Sequence, residues 1–111
     1  MEKSNTLDLE LYDNDTLAGH ASCLYYDGIV QIRDLFIQKA YLGRGLDEKL
    51  LLQIHEYAHE KNAKKIVVYC GPEPFSDNCM PVEEEVKWYE QQGYVLDHRL
   101  YGIVPCMIKR I

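Results

Sequence analysis

No run of apolar residues in this chain approaches the roughly 20 that a helix needs to cross a bilayer, so no membrane-spanning helix is expected. Positive charge is in short supply. Twelve Lys and Arg stand against 18 Asp and Glu, for a net charge of −6. Nucleic-acid binders need a basic surface to displace counterions, and Lys3, Lys61, Lys64 and Lys65 form no basic stripe interleaved with aromatics. Nucleic acid is therefore not expected as a partner, whereas a cationic acceptor such as an amine suits the acidic surface. The four cysteines, Cys23, Cys70, Cys79 and Cys106, include no C-x-x-C pair. That spacing argues against a disulfide framework or a zinc site, so no metal is expected, and reduced thiols in a cytoplasmic protein are. The first residues, Met1 to Asn5, lack the apolar centre of a signal peptide. Neither an internal repeat nor a low-complexity segment is present, and 111 residues are expected to form one domain, residues 1–111.

The apolar pattern changes period along the chain. Leu7, Leu9 and Leu11 alternate with polar residues, the mark of a half-buried strand. Asp13-Asn14-Asp15 reads as a turn. A second strand runs from about Leu17 to Tyr26, Asp27-Gly28 is a hairpin dipeptide, and Ile29 to Ile37 is a third strand. After Tyr41-Leu42-Gly43-Arg44-Gly45 the period becomes helical to about Asn62, with Leu46, Leu50, Ile54, Tyr57 and Ala58 on one face and Leu51 at its margin. Ile66-Val67-Val68-Tyr69 is continuous enough for a central strand covered on both faces. A polar loop follows from Gly71 to Pro81. A second helix spans about Val82 to Gln92 and stops at Gly93 as C-cap. Tyr94 to Asp97 and Tyr101 to Lys109 make a closing hairpin, in which Pro105 predicts a bulge or an edge position. The expected fold class is α+β: a mixed, mostly antiparallel sheet with two helices, in the order β-β-β-α-β-α-β-β.

A strand that enters a glycine turn and then a helix is a device for holding phosphate. Glycine lets the backbone approach the anion, and the first N–H groups of the helix point at it. Gly43-Arg44-Gly45 supplies such a turn. In context, Ile32-Arg33-Asp34-Leu35-Phe36-Ile37, Tyr41-Leu42-Gly43-Arg44-Gly45-Leu46 and Leu50-Leu51 resemble the acetyl-CoA signature of the GNAT acetyltransferase superfamily. Trp88-Tyr89-Glu90-Gln91-Gln92-Gly93-Tyr94 is similar to the segment that ends the last GNAT helix. The resemblance covers about residues 17 to 110. It implies a GNAT-like core in a short form without the N-terminal strand-helix-helix unit that covers the acceptor site in relatives. Shortened cores of this shape include phage-encoded anti-defence acetyltransferases that modify a protein lysine. Val82, Glu85 and Arg33 differ from residues frequent in relatives, and two positions of the phosphate-binding motif also depart from the family pattern. Leu42 stands where Arg or Gln is usual and loses a polar contact to pyrophosphate, and Asp47 stands where Gly or Ala is usual and brings a carboxylate to the phosphates. An Asp in the first helical turn also stabilises the helix dipole.

The resemblance further implies acetyl-CoA as acyl donor. Its pyrophosphate would lie on Leu42, Gly43, Arg44, Gly45, Leu46 and Asp47, and its pantetheine arm on the backbone of Phe36 and Ile37. A bulge in that strand would splay it from the Lys64–Cys70 strand and open a slot. Transfer to an amine needs a proton acceptor, a donor for the carbonyl oxygen, an acid for the leaving thiolate, and alignment. By its match to the family's helix tyrosine, Tyr89 is the candidate acid; packing in the core is its alternative role. Asp34 is the candidate base if the strand pleat turns it into the cleft.

His55-Glu56-Tyr57-Ala58-His59 matches H-E-x-x-H, the zinc-protease helix motif. The apolar arc of this helix centres on Leu50, Ile54 and Tyr57, which leaves His55, Glu56 and His59 on the charged side with no third ligand at a motif spacing. A solvated face is the simpler reading. His20 and His98 are expected to be structural, and Glu83-Glu84-Glu85 a solvated helix start. The expected function is an N-acetyltransferase acting on a primary amine, with a protein lysine favoured by the open acceptor site. The alternatives are an acyl-CoA-binding regulatory module, and an interaction domain that has lost the cofactor. An exposed sheet edge is open to homodimer formation.

Overall fold

A computed structural model describes residues 5–70 and 82–111; the loop expected at Gly71 to Pro81, with Cys79, lies outside the described residues. Strands β1 (Thr6–Asp13), β2 (Thr16–Tyr26) and β3 (Ile29–Ile37) form an antiparallel meander. A 3₁₀ turn at Lys39–Tyr41 leads to helix α1 (Leu46–Glu60) and strand β4 (Lys65–Tyr69). Helix α2 (Val82–Gln91) then precedes β5 (Val95–Leu100) and β6 (Val104–Arg110). The order β-β-β-α-β-α-β-β is the one expected. All six strands join one sheet in the order β1-β2-β3-β4-β6-β5. Among the described residues only β3 and β4 pair in parallel, because α1 carries the chain back across the sheet between them.

The β2–β3 turn is of type I′, with positive φ at Asp27 (48°) and Gly28 (76°), as the Asp-Gly dipeptide predicts. The β5–β6 turn is of the same kind but differs from expectation. Tyr101 (52°) and Gly102 (73°) occupy its centre, and Ile103 N–H closes it on Leu100 C=O at 2.9 Å. Its aromatic first residue reads as strand in the sequence, so β5 runs three residues further than expected and β6 begins later. Pro105 sits not on an edge strand but in β6, between β4 and β5, and the bulge of this hairpin lies in β5, between Leu96 and His98.

Both helices cover the same sheet face. Leu50, Leu51, Ile54 and Ala58 of α1 and Tyr89 of α2 share one core with Ala21, Cys23, Val30, Ile32, Ile66, Val68 and Met107. Helix α2 ends in a Schellman motif: Gly93 N–H reaches Glu90 C=O at 3.0 Å and Tyr94 N–H reaches Tyr89 C=O at 3.0 Å. Gly93, at φ 93°, permits that left-handed turn. The opposite sheet face carries only a small apolar cluster, Val67, Cys106 and Ile108 with Ile29, and no helix among the described residues packs there.

Candidate acetyl-CoA slot

Strands β3 and β4 pair over only the first part of β3. Their ladder runs from Ile29–Lys65 to Ile32–Val68 and ends there, although β3 continues to Ile37. The end of the ladder coincides with a bulge. Across β2, Cys23 pairs with Ile32 but Ser22 pairs with Asp34, which leaves Arg33 as the extra residue. A bulge twists and bends its strand, and β4 itself ends at Tyr69, so no described strand pairs with this side of β3 beyond Ile32. The backbone from Arg33 to Ile37 stays paired to β2 on one side, and on the other has no paired strand among the described residues, which is the edge where the slot is expected.

This edge of β3 runs on through the 3₁₀ turn to the glycine turn. Gly43 and Gly45 have φ of 79° and 77°, a conformation that side-chain-bearing residues adopt only with strain. Nothing lies within 4 Å of where a Cβ on Gly43 would stand, so the turn is open to a ligand. Helix α1 starts at Leu46 with Gly45 as N-cap, and no side chain caps it. Its first N–H groups are thus available to an anion, with one exception: Asp47 Oδ1 accepts the N–H of Glu48 at 2.8 Å. The Arg44 guanidinium lies 5.1 Å from the centre of the Tyr41 ring. Leu42 is exposed, while Leu46 packs its side chain on the core and offers only its backbone to the turn. The unpaired strand edge and the glycine cradle fit a thioester carrier with a phosphorylated arm; the carboxylates of Asp47 and Glu48 in the first turn of α1 oppose it, Glu48 Oε1 lying 3.9 Å from the Cβ position of Gly45.

The expected proton-transfer residues approach the sheet from opposite faces. Tyr89 is 3 % exposed, with its ring edge-on to Trp88 (4.8 Å between centroids) and to Tyr94 (5.2 Å). Burial pushes its phenol well above the usual range, and Cys70 at the end of β4 and Glu85 add to the shift. The proton therefore stays on Tyr89 at neutral pH. Cys23, beneath the same core, is pushed by burial up to about 12 and is an inert thiol. On the open face, Asp34 Oδ2 lies 3.0 Å from His20 Nδ1. The His20 ring is 5.3 Å from that of Phe36, its cross-strand partner. Ile37 points the other way, into the core.

His20 was expected to be a lone structural residue. Its pairing with Asp34 was available only from the hairpin register, which the Arg33 bulge shifts by one. His55 also differs from a solvated residue: it is half-buried and Nε2 hydrogen-bonds Tyr94 Oη at 2.9 Å. Burial, with the charge of Lys109, lowers its pKa. Glu56 and His59 are exposed.

The sequence matches the acetyltransferase (GNAT) family over residues 2–94. The chain belongs to this family. Solved structures with the same fold include the PaiA N-acetyltransferase of Thermoplasma acidophilum in complex with coenzyme A. It has a TM-score of 0.78 and 15% identity, over 96% of this chain and 62% of that one. The ribosomal-protein-S18-alanine N-acetyltransferase of Escherichia coli has a TM-score of 0.77 and 16% identity, over 99% of this chain and 72% of that one. An acetyltransferase of Bacillus subtilis in complex with CoA has a TM-score of 0.73 and 17% identity, over 96% and 78%. This GNAT domain thus spans less than two thirds of the length of the Thermoplasma protein. Comparison with curated protein sequences gives no significant match.

Proposed function

We propose that this GNAT domain transfers an acetyl group from acetyl-CoA to a primary amine by direct attack in a ternary complex. One observation carries the reading: the β3–β4 ladder ends at the Arg33 bulge, and the edge of β3 left unpaired among the described residues runs on to the open glycine turn at the head of α1. Acetyl-CoA supplies an acyl carbon activated as a thioester. The backbone of Phe36 and Ile37 binds the pantetheine arm, and one N–H there holds the carbonyl oxygen. The amides from Leu42 to Asp47 hold the pyrophosphate. Asp34 acts through His20: by accepting Nδ1–H it leaves Nε2 as the basic nitrogen, which takes the proton from the attacking amine. Tyr89 holds its own proton and gives it to the sulfur as the C–S bond breaks. Burial that makes the phenol a weak acid also strengthens its hydrogen bond to charge developing in a dry site.

The acceptor approaches the open sheet face, and the absence of a helix there among the described residues suits a protein lysine or N-terminus better than an enclosed metabolite. The name of the Escherichia coli neighbour, whose acceptor is a protein alanine, is in keeping with this. The net charge of −6 favours a cationic acceptor. β5 is an outer strand, exposed throughout, and a homodimer that covers it, in a cytoplasmic setting, belongs to the same reading.

Asp47 favours a second reading, an acyl-CoA-binding regulatory module without turnover, because its carboxylate already occupies one helix amide. Thermal unfolding with and without acetyl-CoA tests the common part of both. At about 100 times the dissociation constant, a ligand stabilises the native state by about 2.7 kcal/mol, a shift of several degrees for a domain of this size. A shift of that order is expected; none at millimolar acetyl-CoA removes both readings. Acetylation of an amine and peptide panel then separates them, since the module binds and transfers nothing.

A further inference from the structure

The open sheet face carries a second group of donors, on the other side of β4 from the slot. Tyr69 of β4 pairs with Cys106 of β6, and Cys106 pairs with His98 of β5. Residues so paired share one face of a sheet, so the three form a row across three strands. Asp97, next to His98, would ordinarily point to the opposite face. The β5–β6 register, however, slips between Leu96 and His98, which makes Asp97 the bulged residue, and a bulge re-aims its side chain. Asp97 Oδ2 accordingly lies 2.6 Å from His98 Nδ1. One carboxylate oxygen, one imidazole nitrogen and the Cys106 sulfur all lie within 4.8 Å of one another.

We propose that Asp97, His98 and Cys106 bind a zinc ion, with water in its fourth coordination position. Carboxylate oxygen, imidazole nitrogen and thiolate sulfur are the donors that Zn²⁺ takes, at about 2.0–2.3 Å, so three donors already this close need only small side-chain rotations to meet on one ion. Magnesium and calcium prefer all-oxygen sites, and the thiolate selects against them. Cys106 is 2 % exposed and forms the floor, while Asp97 and His98 are exposed and leave a path for the ion. On binding, the thiol proton passes to solvent and the Asp97–His98 hydrogen bond gives way to two metal bonds. A supporting group is in place: Tyr69, the cross-strand partner of Cys106, stands beside the cluster with its ring edge-on to His98 at 6.4 Å. Such outer partners orient ligands and strengthen sites. The sequence spacing, two adjacent residues and a third eight positions on, matches no zinc motif, which is why no metal was expected.

Cobalt(II) titration of the chelator-treated chain tests the site, because a cobalt–thiolate bond gives a charge-transfer band in the near ultraviolet. One equivalent is expected to saturate the band, and Zn²⁺ to bleach it. Cys106→Ser should abolish it. His98→Ala, at an exposed position where folding is not at risk, should weaken cobalt binding by about tenfold or more. A rise in melting temperature on adding Zn²⁺, lost in His98→Ala, is the second readout. No saturable band in the wild-type chain would overturn the proposal. So would a band unchanged in His98→Ala, since cobalt would then be held by other thiols.

Discussion

Tyr89 and the His20–Asp34 pair differ in what surrounds them, and that difference sets their roles. Tyr89 is enclosed by aromatic rings and keeps its proton. Tyr89→Phe should lower turnover by about 100-fold, the lower end of the usual contribution of a positioned acid, with little change in acetyl-CoA affinity. Steady-state kinetics beside calorimetric binding separates the two quantities, and equal loss of both would assign Tyr89 to packing alone. His20 and Asp34 are joined by one hydrogen bond, so they should act as a unit. His20→Ala and Asp34→Asn should each lower turnover, and the double variant should lose no more than His20→Ala does, because effects within such a unit are not additive. Additive losses would separate Asp34 from His20.

The head of α1 shows how a single side chain sets two properties in opposition. Asp47 stabilises the helix dipole and caps Glu48 N–H, yet takes that N–H from any phosphate. Asp47→Ala should therefore raise acetyl-CoA affinity by about threefold to tenfold, on removal of one nearby negative charge from an anion site. The same change should cost about 0.3–1 kcal/mol of stability. Calorimetric binding and thermal melts on one variant check both signs; lower affinity would place the phosphates elsewhere. The hairpins illustrate the complementary case, in which the turn type follows from residue chemistry when Asp-Gly stands at the centre and is hidden when Tyr101 does.

Among the described residues, helices on one sheet face and none on the other give the molecule its character. The covered face is tied across elements by His55 on α1 and Tyr94 at the entrance to β5, and Tyr94 in turn packs on Tyr89. Burial lowers the His55 pKa in the folded chain, below its ordinary value near 6.5. The unfolded chain then binds more protons than the folded one below that value. Stability is fully present above about pH 6.5, falls as pH drops towards the folded pKa, and levels off below it. Urea unfolding from pH 8 to pH 5 should show this acid limb, and His55→Asn should flatten it. An unchanged limb would assign the acid sensitivity to other groups.

The strands, both helices, their order and the Gly93 stop were legible in the sequence, because period, turn residues and caps are local physics. The family signature was legible too, through the glycine turn and the Trp88–Tyr94 segment. What the chain does not encode locally is which side chains meet. The Arg33 bulge shifts β2 against β3 and sets His20 beside Asp34. The Asp97 bulge turns two adjacent side chains towards Cys106. His55 leaves the charged side of its helix because Tyr94 arrives over it. Periodicity assigns a residue to a face of its own element; register and packing between elements decide its neighbour, and those arise only when the sheet closes around its core.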